Sequence, residues 1–162
     1  MISVTSLVSC NILIGAKRNT GKTVLLRYLI FMLKQQGLYS RLLVFSHSPE
    51  EYETYILTKN IYQGWREDVV SRLISQQEQT KKKSGISSLK SHILVCDDIE
   101  IEEMRNSDSV SVLATRGRHL GISLATAVQS ATMLHPTTRK NVDYLFVSSK
   151  VFGSDLDTYS QT

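Results

Sequence analysis

Short apolar runs alternate along this chain with longer stretches of mixed polarity. Five runs read as buried strands: residues 8–15, 41–46, 92–98, 122–127 and 143–147. Helical spacing fills the gaps between them. In residues 22–36, Val24, Leu25, Tyr28, Leu29, Met32 and Leu33 recur at the 3.6-residue period, and Gly37 follows as a stop signal. Residues 65–79 and 107–118 predict two further helices. Ser48 and Pro49 mark the start of another, with serine as cap and proline in the first position. Residues 76–90 are polar, carry Lys81-Lys82-Lys83-Ser84-Gly85 and predict a mobile loop. Apolar strands alternating with helices predict an α/β domain built on a mostly parallel, covered sheet.

Composition narrows this picture little. A chain of 162 residues favours one domain, 1–162, and is long enough to bury a core. Its two cysteines, Cys10 and Cys96, sit in apolar runs, so buried thiols in a reducing compartment are expected rather than a disulfide. Met-Ile-Ser-Val-Thr at the start carries no basic leader, so no secretory signal is expected. No apolar run approaches transmembrane length. The net charge of +4 mildly favours a polyanionic partner.

The first apolar run ends in the segment that carries the chemistry: Gly15, Ala16, Lys17, Arg18, Asn19, Thr20, Gly21, Lys22 and Thr23. A strand, a tight turn and Gly-Lys-Thr opening a helix make a nucleotide-phosphate loop. Backbone N–H groups curl around a triphosphate, and the helix start adds its positive dipole end. Lys22 neutralises phosphate charge, and the Thr23 hydroxyl holds magnesium. The usual pattern is G-x-x-x-x-G-K-[ST]; here Ala16 stands at the first glycine position. Alanine is tolerated there if its φ is negative.

Such a site needs an acid at the end of another buried strand, and residues 92–98 end in Asp97 and Asp98. Asp97 is the expected magnesium partner of Thr23, acting through water. Asp98 is placed to polarise the attacking water, a role more often filled by glutamate. Gln129, just beyond the fourth strand, is a candidate γ-phosphate sensor. Arg116, Arg118 and Arg139 are candidates for transition-state charge, supplied by a neighbouring subunit. His119 and His135 fit no metal-ligand spacing. No nucleophile elbow is present. Lys81-Lys82-Lys83 read either as a solvated insertion or as a DNA-backbone contact.

Three stretches carry a family resemblance. They are Gly15 to Thr23 with Lys17-Arg18 inside the loop; Leu94-Val95-Cys96-Asp97-Asp98; and Arg116-Gly117-Arg118-His119-Leu120-Gly121-Ile122-Ser123-Leu124, then Gln129, then Arg139-Lys140-Asn141-Val142-Asp143-Tyr144. In these the chain resembles the FtsK–HerA superfamily of DNA-pumping ATPases. Within it, the chain is most similar to the poxvirus-type genome-packaging ATPases of large DNA viruses and virophages. Val147-Ser148-Ser149-Lys150 is similar to the bacterial chromosome-pumping members, and the likeness runs from about residue 12 to about residue 155.

The resemblance implies a RecA-like (ASCE) P-loop NTPase fold, a three-layer sandwich around a mostly parallel sheet. It implies ATP and Mg2+ at the site, with Lys22 and Thr23 on phosphate and magnesium, Asp97 on magnesium, Asp98 as base and Gln129 as γ-phosphate sensor. Arg118 is the first candidate for a finger or sensor arginine, with Arg116 and Arg139 behind it. The implied activity is ATP hydrolysis driving viral double-stranded DNA into a capsid. The implied assembly is a hexameric ring of identical chains, partnered by a capsid vertex protein. The implied location is the host cytoplasm or nucleus and the virion. The chain is short for the family, so a minimal or truncated core is expected. Two rival readings remain at this point: a small-molecule kinase and a DNA-associated nucleotide switch. The kinase would need an arginine-rich lid, and residues 81–90 hold no arginine.

Overall fold

The computed structural model describes residues 8–99 and 101–148. The N-terminal leader reading and the Ser149-Lys150 end of the resemblance lie outside them. Six strands form one sheet: β1 Asn11–Gly15, β2 Arg41–Ser46, β3 Ile61–Gln63, β4 His92–Asp97, β5 Ile122–Val128 and β6 Tyr144–Val147. Their order is β3-β2-β4-β5-β1-β6, and every pairing is parallel. β5 therefore separates β1 from the acid-bearing β4, the additional-strand arrangement of the RecA-like class.

Strand alternation sorts the core into two layers. Ile12, Ile14, Val44, Ile93, Val95, Ala125 and Ala127 face α1 (Lys22–Gln35), meeting Leu26, Leu29, Ile30 and Leu33. Leu43, Phe45, Leu94, Cys96, Ile122 and Leu124 face the other side. There they meet Val70, Leu73 and Ile74 of α2 (Glu67–Ser84) and Val110 and Leu113 of α4 (Asp108–Arg116). The described residues also hold two short helices, α3 (Ile101–Arg105) and α5 (Pro136–Arg139). With both faces covered, β1, β4 and β5 are buried along their whole length.

Several sequence expectations are corrected. The first strand starts at Asn11, because Ser9 turns the chain at φ 56°. The polar stretch 76–90 is not one loop. α2 continues through all three lysines to Ser84, Gly85 ends it at φ 82°, and a 3-10 turn, Ile86–Ser88, follows. Lysines in a last helical turn complement the negative end of the dipole, and this favours helix over loop here. The segment opened by Ser48 and Pro49 is a single 3-10 turn, Pro49–Tyr52, and the Ser48 side chain does not cap it. The helix expected over 107–118 ends at Arg116, and Gly117–Leu120 is 3-10. Gly117 permits this tight return, since a Cβ there would sit 2.7 Å from the Ile122 carbonyl oxygen. Both cysteines are buried and neither is in a disulfide, and burial pushes the Cys10 thiol up to about 12.

Candidate active site

Parallel strands bring their C-terminal ends to one edge of the sheet, and loops there form the natural ligand crevice. β1 delivers the phosphate loop to that edge. Ala16 is buried, donates its N–H to the Val128 carbonyl at 3.0 Å, and is not among the residues of positive φ. Alanine therefore fits the first glycine position. The later turn does need special backbone: Asn19 lies at φ 57° and Gly21 at φ 92°. The Thr20 hydroxyl donates to the Lys17 carbonyl at 2.6 Å and braces the curl. Gly21 then caps the start of α1 without a side chain, so no side-chain group satisfies the first N–H groups of the helix.

Lys22 is only 6% exposed. Its Nζ donates to the Lys17 carbonyl at 3.3 Å and lies 3.7 Å from Asp98 Oδ1. From β4, Asp97 Oδ2 accepts from Thr23 Oγ1 at 2.8 Å and from the Tyr52 hydroxyl at 2.6 Å. Asp97 Oδ1 is buried with no hydrogen-bond partner. Gln129 Nε2 reaches Asp98 Oδ1 at 3.5 Å. Lys22, Thr23, Asp98 and Gln129 line one open cleft of ≈ 1000 Å³, together with Arg18, Asn19, Arg27, His47 and Glu51. Gly21 lines this cleft too and, with Ala16 and Thr20, a smaller groove against β6.

These residues fit a magnesium–nucleotide complex. Magnesium at such sites takes one or two protein oxygens, with phosphates and water completing the shell. The Thr23–Asp97 pair provides two, and the unpartnered Oδ1 is a buried acceptor of the right chemistry. Among the described residues no group of three or more His, Cys, Asp or Glu is placed to hold a metal ion.

The arginines lie elsewhere. Arg116 and Arg118 precede β5, at the opposite edge of the sheet. Arg116 pairs with Glu78, and Arg118 Nη1 donates to Asp143 Oδ1 at 3.0 Å. Arg139 donates to the Leu134 carbonyl at 3.4 Å and does not line the cleft. Sequence reasoning missed Tyr52, Arg27 and Glu51. Arg27 pairs with Glu51, and its guanidinium carbon lies 5.8 Å from the Tyr52 ring centre. A helix face presenting Arg27 beside the loop was the one available signal for these residues.

Fold and site together define a P-loop ATPase of the additional-strand class. The chain matches the poxvirus A32 protein family over residues 5–161, and it belongs to that family. No curated protein matches it in sequence. Solved structures share the fold. The DNA-packaging ATPase B204 of Sulfolobus turreted icosahedral virus superimposes with a TM-score of 0.69 at 21% identity, covering 96% of this chain and 82% of that one. The genome-packaging NTPase B204 of Sulfolobus turreted icosahedral virus 2, solved with ATP-γ-S, gives 0.66 at 19% identity, over 93% and 80%. EssC (ATPases 2 and 3) of Geobacillus thermodenitrificans gives 0.66 at 17%, over 93% of this chain and 34% of that one.

Proposed function

We propose that this chain is the ATP-hydrolysing motor that packages viral double-stranded DNA into capsids, assembled as a hexameric ring of identical subunits. The observation that carries the reading is the convergence of Lys22, the Thr23–Asp97 pair, Asp98 and Gln129 at one sheet edge, in a chain of the poxvirus A32 family. B204, which shares the fold, is a DNA-packaging ATPase.

In this account the loop N–H groups from Gly15 to Gly21, with Lys22, hold the ATP phosphates. Thr23 and Asp97 hold Mg2+, which when bound offsets charge on the phosphate oxygens. Asp98 orients the attacking water and accepts its proton, and it must leave Lys22 to do so. Gln129 touches the γ-phosphate and couples its loss to β5. Arg118, with Arg116 and Arg139 behind it, serves the site of the next subunit. Their place away from this chain's own cleft supports action in trans. A capsid vertex protein anchors the ring in the host cytoplasm or nucleus, where virions fill. No helix among the described residues is long and apolar enough to cross a membrane.

Asp98→Asn tests the hydrolytic reading. It should lower single-turnover hydrolysis by about 100-fold or more while ATP still binds. Unchanged hydrolysis would contradict it. A nucleotide switch that scarcely turns over would hardly respond.

A further inference from the structure

Tyr52 is the largest fully buried side chain among the described residues. It arrives on the irregular turn Pro49–Tyr52 rather than on a strand or long helix. A buried phenol must donate its proton to some acceptor, and a backbone carbonyl would suffice. Here the acceptor is Asp97 Oδ2 at 2.6 Å, the same oxygen that takes the Thr23 hydroxyl at 2.8 Å. Two donors on one oxygen fix the plane of the carboxylate and leave Oδ1 as the one without a partner. The turn is itself clamped to α1, because Arg27 pairs with Glu51 of the turn and lies over the Tyr52 ring.

We infer that Tyr52 is a positioning residue for magnesium: its hydroxyl holds the Asp97 carboxylate in place beside Thr23, so that the pair can serve the ion. The inference rests on the ATPase reading and adds a residue to it. A hydroxyl that gives a lone pair to the metal keeps its proton for Oδ2, so Thr23 and Tyr52 together hold that oxygen in place. Partners of metal ligands fix ligand orientation, and their loss typically lowers metal affinity 10- to 100-fold.

The test is binding of a fluorescent, non-hydrolysable ATP analogue, titrated with Mg2+ and repeated in EDTA. Tyr52→Phe should raise the Mg2+ midpoint about 10-fold or more, with the EDTA affinity unchanged. In an Asp97→Asn background, Tyr52→Phe should add no further shift, since the tyrosine acts through that acid. Tyr52→Met, apolar and without a donor, should give the same shift and serves if the phenylalanine variant does not fold. A wild-type Mg2+ midpoint in a folded variant would overturn the inference. Equal weakening with and without Mg2+ would mark a packing role and overturn it as well. Wild-type protein that binds no nucleotide would instead contradict the ATPase reading, leaving the two failures distinct.

Discussion

Neighbouring residues on a strand point to opposite faces, so two consecutive acids ordinarily diverge. Asp97 and Asp98 escape this because Asp98 leaves the strand at φ 51°, a left-handed conformation that Asp and Asn tolerate better than most residues. Asp97 meets Thr23 while Asp98 meets Lys22 and Gln129. The pair was legible in sequence because an apolar run ending in acids has a recognisable pattern. Tyr52 was not, since its contact with Asp97 spans 45 positions and follows no period. His92 opens β4 with its Nδ1 buried and unpartnered. Burial, then the charges of Arg41 and Lys90, push its pKa down to about 4 from an ordinary 6.5. The folded state thus disfavours the protonated form. Its contribution to stability is complete above about pH 6.5 and is lost as pH falls through about 4. Melting temperature should decline across that window, and His92→Leu should flatten the decline. An unchanged slope in the variant would remove His92 from the account.

Long periodic elements could be read from the sequence, whereas short ones could not. α1 differs from expectation by one residue at its end, because its apolar face and Gly37 are both local signals. β3 has three residues and α5 four, too few to express a period. α2 was cut short because a run of lysines looks like a loop until the helix dipole is considered. α4 shows how elements are tied together. The Ser107 hydroxyl accepts from Val110 N at 3.0 Å as an N-cap and donates to Glu67 Oε2 at 2.5 Å. Burial alone would raise the Glu67 pKa, but the hydrogen bonds from Ser107, Ser109 and Trp65 outweigh it and hold the carboxyl below its usual range. Ser107→Ala removes both the cap and one of these donors. It should cost about 1–2 kcal/mol in urea unfolding. A loss within the error of the measurement would show that the cap is dispensable.

At the scale of the molecule, the shared direction of the strands separates two chemistries. One edge gathers the loop lysine, the acids and the glutamine, while the other carries Arg116 and Arg118 in ion pairs with Glu78 and Asp143. Alternating apolar and amphipathic runs were enough to foresee the layered parallel fold. Strand order was not readable from periodicity, because it depends on which faces pack in three dimensions. The proposed ring would require one subunit's Arg118 edge to meet the next subunit's cleft. The most direct measurement is steady-state ATP hydrolysis with and without double-stranded DNA, with Lys22→Ala as control. The account predicts turnover that rises with DNA and vanishes in Lys22→Ala. Turnover that ignores DNA, or that survives the loss of Lys22, would contradict it.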